Sequence, residues 1–153
     1  MQPKDDLPMA LRAAYLGLHR CSEACFARFG VTADQFVLLA RLAEGQALTQ
    51  RELARRMASD PSTVRAMLVL LERRKLVRRQ NHPEDARART VAITPSGRRM
   101  FEKLWEAGDP IRSQMFEALN PQDAAVLVRL LWRVADALNT ESTVIESGIV
   151  EKT

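Results

Sequence analysis

The sequence predicts a mainly α-helical protein that contains one β-hairpin, and three observations predict it. Apolar residues recur three and four positions apart in several segments, which is the spacing of one face of an α-helix. Aromatic residues make up only 5% of the 153 residues, with 6 glycines and 7 prolines, which argues against collagen, disorder and an aromatic-rich β-sandwich. The apolar pattern changes to a period of two only after residue 75, where we expect the hairpin.

Two helices are expected before residue 46. The first covers residues 11–29 and ends at Gly30, and the second begins after the N-cap residue Thr32 and ends at Gly45. The side chains expected on their buried faces are Leu11, Ala14, Leu18, Cys21, Cys25, Phe29, Phe36, Val37, Leu39, Ala40 and Leu42.

A second pair of helices follows with stronger end signals. Thr49 caps the third helix, and Glu52 occupies the position that completes a capping box. After a three-residue turn, Asp60 caps a fourth helix that begins at Pro61 and runs to about Arg74. Its apolar face consists of Val64, Met67, Leu68 and Leu71. The opposite face is therefore short and polar near its start.

The hairpin and two more helices complete the chain. The strands are expected at Leu76–Gln80 and Arg87–Ile93, followed by a fifth helix that starts at Pro95 and continues or kinks near Gly108. A sixth helix begins at Pro121. Its stripe is too apolar to face water and comprises Leu127, Leu130, Leu131, Val134 and Leu138. We therefore expect this helix to bury its stripe in a dimer interface.

Positive charge is concentrated in the middle of the chain. The formal net charge is +4, from 23 basic and 19 acidic residues. Between Thr49 and Arg99 there are 13 basic and 5 acidic residues, which gives +8, and the remainder carries −4. Such a block is typical of proteins with a polyanionic partner, and a solvated arginine-rich face is the alternative. Charge alone leaves both interpretations open.

Helix, short turn, helix and basic hairpin, in this order, predict a winged helix-turn-helix with a two-stranded wing. In that fold the second helix of the pair enters the DNA major groove, so its first turn must be small and able to form hydrogen bonds. Ser62, Thr63 and Arg65 meet this requirement. Arg87 and Arg89 follow the hairpin turn, where cations suit the negative potential of the minor groove. The sequence thus predicts double-stranded DNA as a partner.

Five segments carry a family resemblance, in the family's order and spacing: Leu48–Ala54, Ser62–Val64, Leu71-Glu72, Leu76–Arg79 and Asp85–Gly97. On these motifs the sequence resembles the MarR family of bacterial transcriptional regulators, from about Leu7 to Asn139. One departure is Lys75, where the family commonly has Gly after the recognition helix. A left-handed conformation there would cost Lys roughly 1 kcal/mol relative to Gly, so the angle of the wing is in question.

The resemblance implies a homodimer in which two winged lobes bind an inverted repeat. It implies one MarR-type domain over 1–153, with a DNA-binding lobe at about 32–99 and dimerisation helices at about 7–30 and 100–140. Arg87 would be the minor-groove arginine and Asp85 the carboxylate that positions it, although the two could simply pair to pin the hairpin. The DNA-binding residues carried over or predicted are Gln50, Ser62, Thr63, Arg65, Asp85, Arg87 and Arg89.

The family's effectors are often small aromatic or phenolic molecules that bind between the dimerisation helices and the winged lobe. Tyr15, His19 and Trp105 are candidates for lining that cleft. His19 could equally be a polar residue at a helix edge, and Trp105 could be a core residue. The resemblance thus implies a repressor that a small molecule releases from DNA.

Cys21 and Cys25 lie four residues apart with no second pair, which excludes a zinc ribbon and a disulfide framework. Their Cβ atoms in a helix would be about 5–6 Å apart, too far for an unstrained bond. We expect buried small hydrophobic residues in a cytoplasmic protein; a redox-sensing regulator is the alternative, followed by a metal site or a Cys/His enzyme. The sequence has no paired catalytic acids or phosphate-binding glycine loop, so we expect no enzymatic activity and no cofactor.

Neither a membrane span nor secretion is expected. The longest stretch without a charged residue is Thr90–Gly97, far shorter than a membrane-spanning helix needs. Asp5 and Asp6 stand where a signal peptide would be apolar. A winged helix that binds protein instead of DNA would be expected to have a neutral wing, so the basic block argues against it.

Overall fold

The computed structural model describes residues 2–150, and side chains are described for residues 2–140. The chain divides into two compact units, with the boundary between Ile111 and Arg112. The described helices include none that is long and apolar enough to cross a membrane.

The N-terminal helix is longer than the sequence predicted. Helix α1 covers Pro3–Phe26 and a single 3₁₀ turn covers Ala27–Phe29. Gly30 then ends the segment in the left-handed conformation, with φ +66°. Proline is well tolerated in the first turn of a helix, which permits the early start at Pro3. Of the α1 side chains, only Phe26 is fully buried within the chain.

Helix α2 spans Ala33–Ala43 and is capped as predicted. The Thr32 hydroxyl accepts a hydrogen bond from the Gln35 N–H, and the Gln35 side chain accepts one from the Thr32 N–H. The prediction for the buried face was partly wrong: Val37 is exposed and Leu38 is fully buried instead. Leu39 and Leu42 are buried as predicted.

Helices α3 (Gln50–Arg56) and α4 (Pro61–Arg73) form the predicted pair. The capping box of Thr49 and Glu52 is present, with hydrogen bonds of 3.1 and 2.9 Å. The side chains predicted for the apolar face of α4 are all buried: Val64, Met67, Leu68 and Leu71. The opposite face of α4 is consequently left to solvent.

The hairpin is confirmed, and a third strand that the sequence analysis did not predict extends it. Strands β2 (Val77–Asn81) and β3 (Arg89–Ile93) pair antiparallel, and β1 (Leu48–Thr49) pairs with the other edge of β3. The sheet order is therefore β1-β3-β2. A two-residue strand has no periodicity of its own, so only the long-range pairing of Leu48 with Val91 reveals it.

One core connects α1 to α5 and the sheet. Its fully buried large side chains are Leu38, Leu39, Leu42, Leu53, Val64, Leu68, Leu71 and Leu104. Aromatic rings continue along one side in a row from Phe26 through Phe36 and Phe101 to Trp105, with centroid distances of 4.8, 5.8 and 6.0 Å. The winged helix-turn-helix is thus built on a common core.

Helix α5 (Pro95–Ala107) ends at Gly108, and a separate helix, α6 (Asp109–Glu117), follows. The predicted continuation or kink is therefore a break. Gly97 in α5 lies so close to the residue that precedes β2 that a Cβ atom there would stand 1.9 Å from the Leu76 carbonyl oxygen. This close approach explains why position 97, at the end of the Thr94–Gly97 motif, is a glycine.

The question raised by Lys75 is answered by its backbone. Lys75 has φ +60°, the left-handed conformation that glycine would adopt at this position. Its carbonyl oxygen accepts a hydrogen bond of 2.6 Å from the Thr94 hydroxyl. Lysine thus keeps the turn between α4 and β2 in the conformation that a glycine would give, at a cost in strain.

Helix α7 covers Pro121–Val150. Asn120 begins it, with its side-chain oxygen accepting the Asp123 N–H at 2.8 Å. Several large apolar side chains of α7 are exposed within the chain, among them Leu127, Val128, Leu130, Leu131 and Trp132.

Candidate nucleic-acid interface

The turn between α3 and α4 is built by local backbone bonds. Ala58 adopts φ +50°, and the Ser59 N–H donates to the Ala54 carbonyl oxygen at 3.0 Å. This pattern satisfies carbonyl groups at the end of α3 before the chain reverses. The Gln50 side-chain amide donates to the Pro61 carbonyl oxygen at 3.4 Å. Gln50, a predicted DNA-binding residue, thus links the first residues of the two helices.

The first turn of α4 is held by Asp60. One carboxylate oxygen of Asp60 accepts the Thr63 N–H at 2.9 Å, and the other accepts the Thr63 hydroxyl. Hydrogen bonds from the Thr63 hydroxyl and then from its backbone lower the pKa of Asp60 below its usual value. The Thr63 hydroxyl proton is already donated, so this side chain offers a base edge only its oxygen lone pairs and its methyl group.

The predicted reading face of α4 is exposed. Solvent is accessible to Ser62, Thr63 and Arg65, whereas Val64 between them is fully buried. Because successive residues of a helix are rotated by about 100°, burying Val64 directs its immediate neighbours away from the core. The structure therefore brings these three candidate residues together on the free side of the first two turns.

The tip of the wing is fixed by Asp85, through the backbone. The Asp85 carboxylate accepts the Arg87 N–H at 3.0 Å, and the Asp85 carbonyl oxygen accepts the Ala88 N–H at 3.1 Å. Asp85 thus shapes the loop through the Arg87 backbone. The alternative in which the two side chains pair would need the Asp85 carboxylate to contact the Arg87 guanidinium. Arg87 is exposed at the tip, and Arg89 lies at the start of β3 opposite Asn81.

The three effector-cleft candidates fall into two groups. Tyr15 and His19 lie one turn apart on α1, with ring centroids 5.7 Å apart and ring planes tilted by 30°. His19 also lies 4.0 Å from the carboxylate of Glu23. Trp105 belongs to α5 and packs against Phe101 at the end of the aromatic row, with half of its surface exposed.

The prediction that both cysteines are buried was wrong for Cys21, which is exposed on α1. Cys25 is half-buried against the core, and its thiol donates to the Ala107 carbonyl oxygen at 3.1 Å. Among the described residues, no group of three or more His, Cys, Asp and Glu side chains could hold a metal ion.

Two arginines beside the predicted site have contacts that sequence reasoning missed. Arg74 donates to the carbonyl oxygens of Gly30 and Phe29 at 2.7 and 3.0 Å. Arg79 forms an ion pair with Glu72, with Nε and Oε2 separated by 3.4 Å. The carbonyl groups that Arg74 contacts are far away in sequence, and the Glu72 partner of Arg79 lies on another element. No local sequence signal could therefore have identified these contacts.

Comparisons with known proteins agree with this architecture. The family model described as MarR family matches residues 31–88, which contain α2, α3, α4, β2 and the wing loop and end just before β3. Over these residues the chain is similar to the MarR family. The transcriptional repressor MdtR of Bacillus subtilis is 25% identical over 140 residues, which cover 92% of this chain and 90% of MdtR.

Two solved structures show how far the likeness to other MarR-type proteins extends. BpsR of Bordetella bronchiseptica, whose DNA binding is regulated by 6-hydroxynicotinic acid, is 29% identical with a TM-score of 0.79, covering 89% of this chain and 97% of BpsR. The S. aureus MepR–DNA complex has a TM-score of 0.75 at 22% identity, covering 85% and 96% of the two chains, and shows a shared fold. These MarR-family relatives are regulators, which supports at family level the expectation of a protein without enzymatic activity.

Proposed function

We propose that this protein is a DNA-binding transcriptional repressor that acts as a homodimer in the cytoplasm and releases its operator when a small aromatic effector binds. In this proposal residues 1–153 form one MarR-type domain, with its DNA-binding lobe at about 32–99. The single observation that carries the proposal is the exposed first turn of α4, where Ser62, Thr63 and Arg65 share the solvent side.

The geometry of this turn suits a DNA groove. The major groove is about 12 Å wide and admits one helix whose leading residues can approach base edges. Small side chains at positions 62 and 63 permit that approach, and Arg65 can donate two hydrogen bonds to a guanine or hold a phosphate. Arg87, at the end of a loop shaped by Asp85, would enter the neighbouring minor groove.

Exposed apolar side chains on α7 support a dimer. Val128 and Trp132 are 56% and 58% exposed and lie one turn apart, so they form a continuous apolar surface. Large surfaces of this kind on a regulator with a palindromic target are normally covered by a second copy. We propose that dimerisation helices at about 7–30 and 100–140 supply this contact.

A small effector is supported by BpsR, which responds to a hydroxylated aromatic acid. In this chain, the neighbouring Tyr15 and His19 rings offer an aromatic surface. We propose Tyr15, His19 and Trp105 as the residues to test for effector contact.

Selection of bound fragments from the source genome tests the proposal as a whole. The purified protein should enrich an inverted repeat whose half-site centres are roughly 10 base pairs, or a whole number of helical turns, apart. Footprints should cover both half-sites, and sedimentation should give a dimer at micromolar concentration. Failure to enrich any sequence, or enrichment of single sites by a monomer, would contradict it.

Redox sensing is the alternative form of regulation, and the exposure of Cys21 is the observation that favours it. Peroxide treatment of a protein–operator complex distinguishes redox sensing from regulation by a small-molecule effector. A sensor would release the operator, and Cys21→Ala or Cys25→Ala would abolish the release. We expect no release, with both variants equal to the parent protein.

A further inference from the structure

A group of polar side chains gathers on the side of the wing that faces α4. In the β2–β3 pairing, Arg79 lies opposite Val91 and Asn81 lies opposite Arg89. Residues two apart in a strand share a face of the sheet, so Arg79, Asn81 and Arg89 lie on one face. The Arg79–Glu72 ion pair identifies that face as the one turned to α4.

Arg79, Gln80, Asn81 and Arg89 line an open cavity of about 280 Å³, here called the basic notch. Pockets for drug-sized molecules are mostly apolar and have volumes of about 300–1,000 Å³. The basic notch is smaller, and all four of its lining residues are polar or positively charged. It therefore suits a small anion rather than an aromatic effector.

The donors of the basic notch match the oxygens of a phosphate group. Two guanidinium groups and the Asn81 amide supply hydrogen bonds, and a guanidinium can bind two oxygens of one phosphate. Glu72 lies 3.4 Å from Arg79 Nε, and this Nε is enclosed without a hydrogen bond among the described residues. The ion pair thus holds Arg79 in position and leaves the notch a net positive lining.

We propose that the basic notch binds one phosphate of the DNA backbone, between the base contacts of α4 and the minor-groove contact of Arg87. This inference rests on the proposed function and deepens it. Arg89 was already a predicted DNA-binding residue; the notch adds Arg79 as a second phosphate donor, with Gln80 and Asn81 beside it. The contact fixes the register of the wing on the duplex and carries no base preference of its own.

The salt dependence of operator binding tests the notch. Arg79→Gln should lower the slope of log K against log salt by about 1.8, which is 0.9 for one phosphate contact in each protomer. Affinity should fall by roughly tenfold and equally for all operator sequences. Arg79→Lys keeps the charge and should keep most of the slope.

Arg78→Gln is the matched control. Arg78 is the preceding residue of β2, is exposed, and lies opposite Ala92 on the other face of the sheet. The substitution removes the same charge one position away and should leave the slope nearly unchanged. Circular dichroism and thermal unfolding establish that each variant is folded.

The outcomes separate the notch from the proposed function. If the parent protein selects no DNA, the proposed function fails. If the parent binds its operator and the Arg79→Gln and Arg78→Gln slopes are equal, the notch proposal fails alone. A titration of the free protein with inorganic phosphate, followed through the Arg79 Nε–H resonance, adds a second arm. Saturable phosphate binding together with equal slopes would assign the notch to a free phosphate ion and overturn the proposal.

Discussion

Arg74 Nη1 donates a hydrogen bond of 2.7 Å to the carbonyl oxygen of Gly30, 44 residues earlier in the chain. Nη2 of the same guanidinium donates to the Phe29 carbonyl oxygen at 3.0 Å. Arg74 is the C-cap residue of α4, and Phe29 ends the 3₁₀ turn that follows α1. One side chain therefore joins the end of the recognition helix to the segment that follows the N-terminal helix.

Removal of this link should weaken the fold more than removal of its neighbour. Arg74→Met keeps the apolar stem and loses both hydrogen bonds, and we expect the free energy of unfolding to fall by about 1–2 kcal/mol. Arg73→Met removes the same charge from an exposed position and should stay within about 0.5 kcal/mol of the parent. Urea unfolding measures the free energy of unfolding of both variants. Equal values for Arg74→Met and Arg73→Met would show that the Arg74 contacts do not stabilise the fold.

Gly97 is the position where the smallest substitution should do most damage. A Cβ atom there would stand 1.9 Å from the Leu76 carbonyl oxygen and 2.8 Å from Ile93 Cγ1, and a backbone carbonyl cannot move aside without shifting β2. We expect Gly97→Ala to destabilise the protein by roughly 4 kcal/mol or more, among the largest effects of single substitutions.

Gly17→Ala provides the control for Gly97. Gly17 lies inside α1, and a Cβ atom there would meet nothing within 4 Å. Alanine should stabilise this helix by about 0.5–1 kcal/mol. A Gly97→Ala protein that unfolds at the same urea concentration as the parent would contradict the close packing of α5 against Leu76, which precedes β2.

Contacts between residues that are close in sequence could be predicted, and contacts between residues that are far apart in sequence could not. The caps by Thr32, Thr49 and Asp60 were predicted correctly because each depends on residues three positions apart. Strand β1 and the Arg74 contacts were missed because their partners are more than 40 residues away. The same holds for Cys21, whose exposure depends on how α1 packs and not on its own periodicity.

The candidate site divides in the same way. Exposure of Ser62 and Arg65 followed from the helical stripe that buries Val64, so it could be predicted from spacing. The basic notch could not, because it needs the register that sets Asn81 opposite Arg89 as well as the ion pair between Arg79 and α4. A one-residue shift in the hairpin would move these side chains to the other face.

Acid should loosen the start of the recognition helix through Asp60. The pKa of this carboxyl is lowered in the folded protein by hydrogen bonds from Thr63. Its contribution to stability is therefore present above the unfolded-state pKa and is lost as the pH falls through the folded-state pKa. Below pH 4, the parent should lose stability faster than Asp60→Asn, which keeps a capping oxygen that does not titrate.

Urea midpoints measured between pH 3 and pH 7 for both proteins check this prediction about Asp60. The expected result is a difference between the parent and Asp60→Asn that is constant near neutral pH and shrinks or reverses in acid. Parallel curves over the whole range would mean that the Asp60–Thr63 contacts do not favour the ionised carboxylate.

Arg87 and Arg65 should affect DNA binding in different ways, because they are placed for different grooves. Arg87→Ala removes a cation from the wing tip, so affinity should fall by about 1–3 kcal/mol, with a smaller salt slope and an unchanged major-groove consensus. Arg65→Ala should relax the preference at particular base pairs if Arg65 binds a guanine, and should act equally on all sequences if it holds a phosphate. Titrations against the selected operator and its single-base variants at two salt concentrations distinguish these outcomes. Lys4→Ala, which removes an exposed charge outside the proposed DNA-binding and dimerisation segments, controls for the net charge of the protein. A folded Arg87→Ala dimer that binds the operator as tightly as the parent would show that Arg87 has no role in the minor groove.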